Sequence, residues 1–253
     1  MKKALAFDLD KTLNDPKLPI GAEMAGIFAE LLGYYPMCVI SGQKFEQFEL
    51  QVVQPLLVAG ATEQQLANLH LMVGQGTQYY VRKNAAWERV YNNALTTEQV
   101  AELSEALEQA ARELDYWVEL TNGDEIIENR ESMVAYSALG QKAALADKLA
   151  WDPDMSKRNK IVKRVLELVP NYEFEVGGTT TINAFVPGMN KVYGMTKWME
   201  IMGFTTADIL YFGDMTQPGG NDYPVVEMGI QTITVEKWQD TAFCLRGILG
   251  MAQ

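Results

Sequence analysis

Three short apolar runs constrain this chain most, because each stops abruptly at residues with chemistry in them. Lys3 to Leu9 ends in Asp8-Leu9-Asp10, Met37 to Ile40 runs into Ser41-Gly42, and Ile209 to Phe212 runs into Gly213-Asp214. Runs this short and this continuously apolar read as strands buried on both faces. Leu69 to Val73 and Gln231 to Val235 are further strands. Helix-period segments alternate with them: Ile20 to Leu32, Phe45 to Val58, Lys191 to Met202, Tyr223 to Met228 and Gln239 to Leu249. Such alternation predicts right-handed crossovers and a parallel sheet, an α/β, Rossmann-like core. Residues just past the carboxyl ends of such strands line one crevice. Asp8, Asp10, Ser41 and Asp214, drawn from both ends of the chain, are therefore expected together.

The middle of the chain reads differently. Gln78 to Val81 and Trp87 to Tyr91 suggest a hairpin. Thr96-Thr97-Glu98-Gln99 opens a helix to about Leu114, with Glu and Gln in its first turn. Strand-like pieces follow at Tyr116 to Leu120, Glu125 to Glu128 and Met133 to Ser137. A basic helix, Ser156 to Val169, precedes two strands at Tyr172 to Val176 and Thr179 to Val186. The expected layout is a discontinuous core domain, 1–82 with 188–253, carrying an inserted α+β domain at 83–187.

Charge narrows the function classes. Twenty-one Lys plus Arg against 33 Asp plus Glu leave −12, which argues against nonspecific binding to nucleic acid or anionic lipid. Lys157-Arg158-Lys160-Lys163-Arg164 reads as a solvated helix face, because no aromatic residues interleave with it. No segment approaches the roughly 20 apolar residues of a membrane span, and the N-terminal MKKALAFDLDK holds no signal-peptide core. Two cysteines, Cys38 and Cys244, make no disulfide framework. A cytoplasmic protein is the expectation. The single histidine, His70, lies in an apolar strand, which argues against a Ser-His-Asp triad. Gly74-Gln75-Gly76 reads as a turn, and Trp117, Trp151 and Trp198 as packing.

Asp8 and Asp10 carry the sharpest signal. Two carboxylates this close repel one another unless a cation or proton lies between them. Magnesium meets that need, since it takes oxygen ligands from one or two carboxylates plus substrate phosphate. Gly213-Asp214-Met215-Thr216-Gln217-Pro218-Gly219-Gly220-Asn221-Asp222 adds acids on a glycine-rich loop, and Lys191 opens a helix just after the insert.

With these segments in order, the chain resembles the haloacid dehalogenase superfamily of phosphohydrolases and phosphomutases. Asp8-x-Asp10-x-Thr12, Ser41, Lys191 and Gly213-Asp214 through Asn221-Asp222 match its four signatures. The last loop is similar to that of eukaryotic-type phosphomannomutases. Gly177-Gly178 through Phe185, Gly188, Lys191 and Arg130 follow the same spacing. The resemblance implies that Asp8 is the nucleophile and Asp10 the general acid and then base. It implies Mg²⁺ held by Asp8, the Asp10 carbonyl and Asp214, with Asn221 or Asp222 assisting. Ser41 and Lys191 would hold the transferring phosphoryl oxygens. Thr12, Gly42, Arg130, Lys148, Thr181 and Asn183 would bind substrate, and the insert would act as a cap that excludes water.

The chain departs from the pattern at telling places. Lys11 stands where most members have Gly, and Gln43 where the mutases have Ser. Three mutase arginines that grip a distal phosphate become Arg130, Gln141 and Lys148, and an acid that meets sugar hydroxyls becomes Asn183. Lysine is a weaker bidentate clamp than arginine. A mutase must hold a bisphosphate in both orientations, so these changes favour a Mg²⁺-dependent phosphatase of a small phosphorylated metabolite, a sugar phosphate above all. A phosphohexomutase is the alternative, and a non-catalytic phosphometabolite-binding relative a third reading. A small phosphorylated substrate is the expected partner, with neither nucleic acid nor membrane; an apolar cap face could carry a homodimer.

Overall fold

The computed structural model describes residues 2–121 and 123–252. The chain divides into two compact units: Met1–Asn92 with Asn190–Gln253, and Asn93–Met189.

The first unit opens with β1 (Ala4–Phe7), α1 (Ala22–Leu31) and β2 (Met37–Ile40). The helical stretch that follows is broken into α2 (Phe45–Phe48), a π-helical turn (Glu49–Val53) and α3 (Gln54–Val58). A short α4 (Glu63–Leu66) leads to β3 (Leu69–Val73), β4 (Gln78–Lys83) and β5 (Ala86–Asn92). The second unit holds α5 (Thr97–Glu113), β6 (Ile127–Asn129), β7 (Val134–Ser137), α6 (Leu145–Trp151), α7 (Ser156–Leu168), β8 (Glu173–Gly177) and β9 (Thr181–Phe185). The chain then returns to the first unit through α8 (Lys191–Met202), β10 (Ile209–Gly213), α9 (Tyr223–Glu227), β11 (Gln231–Thr234) and α10 (Trp238–Ala252).

The first unit is built on a seven-stranded sheet, β11-β10-β1-β2-β3-β4-β5. Its first five strands are parallel and its last two antiparallel. β1 sits at its heart, with Phe7 opposite both Phe212 and Val39. Side chains alternate across a strand. Leu5 and Phe7 enter one apolar layer with Met24, Phe28 and Leu245, whereas Ala4 and Ala6 enter the other with Met195 and Trp198. The sheet is thus covered on both faces, which explains why its central strands lack alternation in the sequence. His70, on β3, packs beside Trp198 of the second layer and is bonded through Nδ1 to the Tyr79 hydroxyl at 2.6 Å; burial lowers its pKa to about 4.

The second unit is a four-stranded antiparallel sheet, β6-β7-β9-β8, packed against α5 and α7. α5 is amphipathic: Leu103, Ala106, Leu107, Ala110 and Ala111 form one buried stripe. Thr96 and Gln99 close a capping box at its start.

Three expectations need correction, and one helix escapes the sequence reading. The hairpin β4–β5 extends the first unit's sheet, so the insert begins at 93 rather than 83 and ends at 189. Gln78, Tyr79 and Tyr80 are buried against β3, while β5, as the edge strand, carries the mixed pattern that disguised it. Tyr116 to Leu120 is not a strand; it finds no ladder partner, and Tyr116, Trp117 and Leu120 instead pack on the second unit's core. The sequence reading missed α6, whose Leu145 and Leu149 are exposed. Finally, Arg158 is not on a solvated face. It is 2% exposed, pairs with buried Asp152 at 2.7 Å, and donates to the Gly177 and Gly178 carbonyls at 3.0 and 2.9 Å. No helix among the described residues is long and apolar enough to cross a membrane.

Candidate active site

Parallel register aligns the polar strand ends. Phe7 pairs with Phe212 and Val39, so Asp8, Gly213-Asp214 and Ser41 leave three adjacent strands on the same edge. Asp8 N donates to the Phe212 carbonyl at 2.9 Å, which fixes its backbone. Ser41, also buried, donates its amide to the Met72 carbonyl at 3.1 Å.

Lys191 reaches this edge from the first turn of α8. Asn190 caps that helix, its side chain accepting from Val192 N at 3.0 Å. The helix can approach because two glycines meet there: a Cβ on Gly194 would lie 2.7 Å from Gly76 Cα. The Lys191 ammonium is 1% exposed and donates to Asp8 Oδ1 and to Asp222 Oδ1, both at 2.6 Å. Asp222 Oδ1 also accepts from the Tyr211 hydroxyl at 2.6 Å, and its Oδ2 from Met215 N at 3.0 Å. The glycine-rich loop permits this: a Cβ on Gly213 would lie 2.6 Å from the Asp222 carboxyl, and one on Gly220 would strike the Met215 carbonyl. Three donors thus occupy both Asp222 oxygens.

Asp8, Asp214 and Asp222 offer carboxylate oxygens within 4.8 Å of one another. Burial pushes Asp8 well above the carboxylate range, against the pull of Lys191. Burial also raises Asp214, against Lys11. Burial by itself would lower Lys191, but Asp222 and Asp8 outweigh it and raise its pKa, so the ammonium stays charged. The site therefore carries three acids against one buried ammonium and one half-exposed one. Lys11 Nζ lies 3.4 Å from Asp214 Oδ2. Lys11 also adopts φ +66°, a left-handed conformation that glycine enters freely, which accounts for the usual residue there. A hard divalent cation suits this all-oxygen, net-negative set. Asn221 Oδ1, buried without a hydrogen-bond partner, adds a spare acceptor.

Asp10 stands apart from the three acids. Its Oδ1 accepts from Lys17 N at 2.8 Å and its Oδ2 from Gln43 Nε2 at 2.9 Å. Thr12 is fully buried and its Oγ1 has no partner, a cost that a ligand oxygen would relieve. Gly42 follows Ser41 in the turn after β2.

The other expected substrate residues belong to the inserted unit. Arg130 follows β6 and pairs with Glu128 at 2.7 Å. Lys148, in α6, is 4% exposed with Nζ on the Gln141 carbonyl at 2.7 Å. Thr181 opens β9, its hydroxyl 3.4 Å from that of Ser137. Asn183, on the same strand, is buried with Oδ1 unpartnered.

Sequence reasoning missed Tyr211, Gln43 and Arg158. Tyr211 carries the one hydroxyl in the apolar run Ile209 to Phe212, a signal that was there to be read. Gln43 had been noticed only as a departure, and nothing local marked Arg158 as buried.

Comparison with known proteins places the chain in a family. A family model described as eukaryotic phosphomannomutase matches residues 43–251. A probable phosphomannomutase of Caenorhabditis elegans is 24% identical over 229 residues, covering 87% of this chain and 85% of the relative. Human phosphomannomutase 1 is 22% identical, covering 87% and 81%. Among solved structures, an IMP-bound IMP-nucleotidase of Plasmodium falciparum superposes with a TM-score of 0.70 at 16% identity, covering 98% of this chain and 68% of that one. A trehalose-6-phosphate phosphatase related protein gives 0.59 at 16% identity, covering 98% of both. The solved structures attest the fold.

Proposed function

This chain belongs to the eukaryotic phosphomannomutase family, within the haloacid dehalogenase superfamily, and from its own residues we propose that it is a Mg²⁺-dependent phosphatase of a small sugar phosphate. The observation that carries phosphoryl transfer is the Lys191 ammonium held between Asp8 and Asp222, with Asp214 beside them.

In this mechanism an Asp8 carboxylate oxygen attacks the phosphorus. The bond from phosphorus to the sugar oxygen breaks, its electron pair stays on that oxygen, and Asp10 supplies the proton. A water then attacks the phosphoryl-aspartate and gives its proton to Asp10. The bond to Asp8 breaks, the carboxylate is restored, and inorganic phosphate departs. Lys191 neutralises charge on the phosphoryl oxygens and steadies Asp8, and Ser41 offers a hydroxyl at the neighbouring strand end. Asp8 and Asp214 would hold Mg²⁺, with Asn221 near; when bound, it supplies charge neutralisation for the phosphoryl group.

Hydrolysis is preferred to mutase chemistry because of the inserted unit. A bisphosphate needs a second strong anion clamp. Of the three positions, one is Gln141, Lys148 has its ammonium on a backbone carbonyl, and Arg130 shares its guanidinium with Glu128. The mutase reading keeps the support of the family match and of the relatives' names. Incubation with hexose phosphates and Mg²⁺ in ¹⁸O-water separates the two. The phosphatase releases inorganic phosphate carrying one solvent oxygen. Interconversion of hexose 1- and 6-phosphates, dependent on a bisphosphate and without phosphate release, would overturn it.

The metal is testable without turnover. Mg²⁺ at a hundredfold excess over its Kd should stabilise the protein by about 2.7 kcal/mol, read as a rise in Tm. Asp214→Asn should lose most of that rise. Lys11→Gly should enlarge it and lower the half-saturating Mg²⁺ concentration by roughly two- to fivefold, the scale of an exposed charge interaction. A Tm indifferent to Mg²⁺ would remove the metal from the site.

A further inference from the structure

We propose that Gln43 is a positioning residue that aims the Asp10 carboxylate for proton transfer; the proposal rests on the reading of Asp10 as the group that handles the leaving-group proton. A carboxylate at a loop start can swing about its side-chain torsions. Here each oxygen is held by a donor from a different segment: Oδ2 by Gln43 Nε2 at 2.9 Å, Oδ1 by Lys17 N at 2.8 Å. Two donors on two oxygens define the plane of the group, and proton transfer demands that definition.

The second donor is itself built in. Lys17 sits at φ +64°, which costs energy and persists only where surroundings enforce it. Its carbonyl accepts from Gln51 Nε2 at 3.2 Å. Gln51 is 1% exposed and lies in the π-helical turn Glu49–Val53. Its Oε1 accepts from Asn14 Nδ2 at 3.3 Å, and Asn14, equally buried, also donates to the Leu18 carbonyl. Asn14's own carbonyl accepts from Lys11 N at 2.8 Å. Buried amides thus tie the loop after β1 to the helix after β2, and Gln43, just ahead of that helix, completes the grip on Asp10. π-helical turns inside helices often mark such sites. The arrangement also separates two roles. Asp8, Asp214 and Asp222 converge on one another, while the donors hold the Asp10 side chain out of that cluster. Two carboxylates only two residues apart are kept at different tasks.

Gln43→Met keeps the length of the side chain and removes the donor; Gln43→Lys restores a donor. The measurement is kcat/KM on two esters. A hexose phosphate loses an alkoxide that needs a proton, whereas p-nitrophenyl phosphate loses a stable phenolate that does not. Gln43→Met should lower kcat/KM for the hexose phosphate by roughly 10- to 100-fold while changing that for the aryl ester by less than about threefold, and Gln43→Lys should recover most of the loss. Equal losses on both esters would mark a structural role and overturn the proposal, as would an undiminished rate on the hexose phosphate. A wild-type protein inert toward both esters would overturn the phosphatase reading instead. The contact then has its own readout: Asp10→Asn should shift the Gln43 side-chain amide signals in ¹H–¹⁵N spectra, and signals that stay in place would overturn the proposal.

Discussion

Asp8→Asn is expected to abolish phosphate release, by on the order of 10⁴-fold or more, the scale of losing a covalent nucleophile. The amide is isosteric, so geometry at the end of β1 should survive. It also removes one of three close acids: burial, with added repulsion from Asp222, raises the pKa of both Asp8 and Asp214. The variant should therefore melt close to or above the wild type, even though Lys191 keeps only Asp222 as a charged partner. Phosphate release and Tm measured side by side decide the matter. Activity above a tenth of wild type would show that Asp8 is not the attacking group, and a collapsed Tm would show that its charge is structural.

Lys191→Met should be the most destabilising single change in the first unit. Asp8 and Asp222 would stay buried without their ammonium, and breaking a buried pair in this way costs about 3–5 kcal/mol. Activity should fall with it. The pH dependence has a definite sign. Lys191's folded pKa is raised, so its stabilisation is present below the ordinary amine value of 10.5 and is lost as pH climbs beyond the folded value. Asp8's folded pKa is also raised, so its protonated form favours folding near the ordinary 3.8 and this contribution is lost as pH rises through the folded value. The Tm gap between variant and wild type should therefore narrow as pH falls from neutral toward the ordinary carboxylate value of 3.8. A gap that ignores pH would mean the carboxylates find other counter-charges.

The central strands were legible because both faces of β1, β2, β3 and β10 are buried, and double burial leaves an unbroken apolar run. β5 was assigned to the wrong unit for the converse reason. As an edge strand it has one exposed face, and AWERVYN carries no mark of which sheet it joins. Tyr116 to Leu120 is apolar and aromatic enough for a strand, yet composition only prepares a segment for a ladder; a neighbour with unpaired backbone groups must be there to accept it. Phe45 to Val58 reads as a helix, but its π-helical turn left no sign in the sequence. Within that turn Gln51 makes its bonds to Asn14 and to the Lys17 carbonyl, residues more than 30 positions away.

The site divides along the same line. Local order along the chain was enough to place Asp8, Asp10, Ser41, Lys191 and Asp214 at the ends of buried segments, because a strand that stops at an acid needs no distant information to be recognised. Which acid serves which partner was settled by folding. Asp222 meets Lys191 across 31 positions and Tyr211 across 11, and Asp10 meets Gln43 across 33. Hydrogen bonds act over about 3 Å, so such pairings exist only once register and helix packing have brought the atoms within reach, and no residue type announces them beforehand.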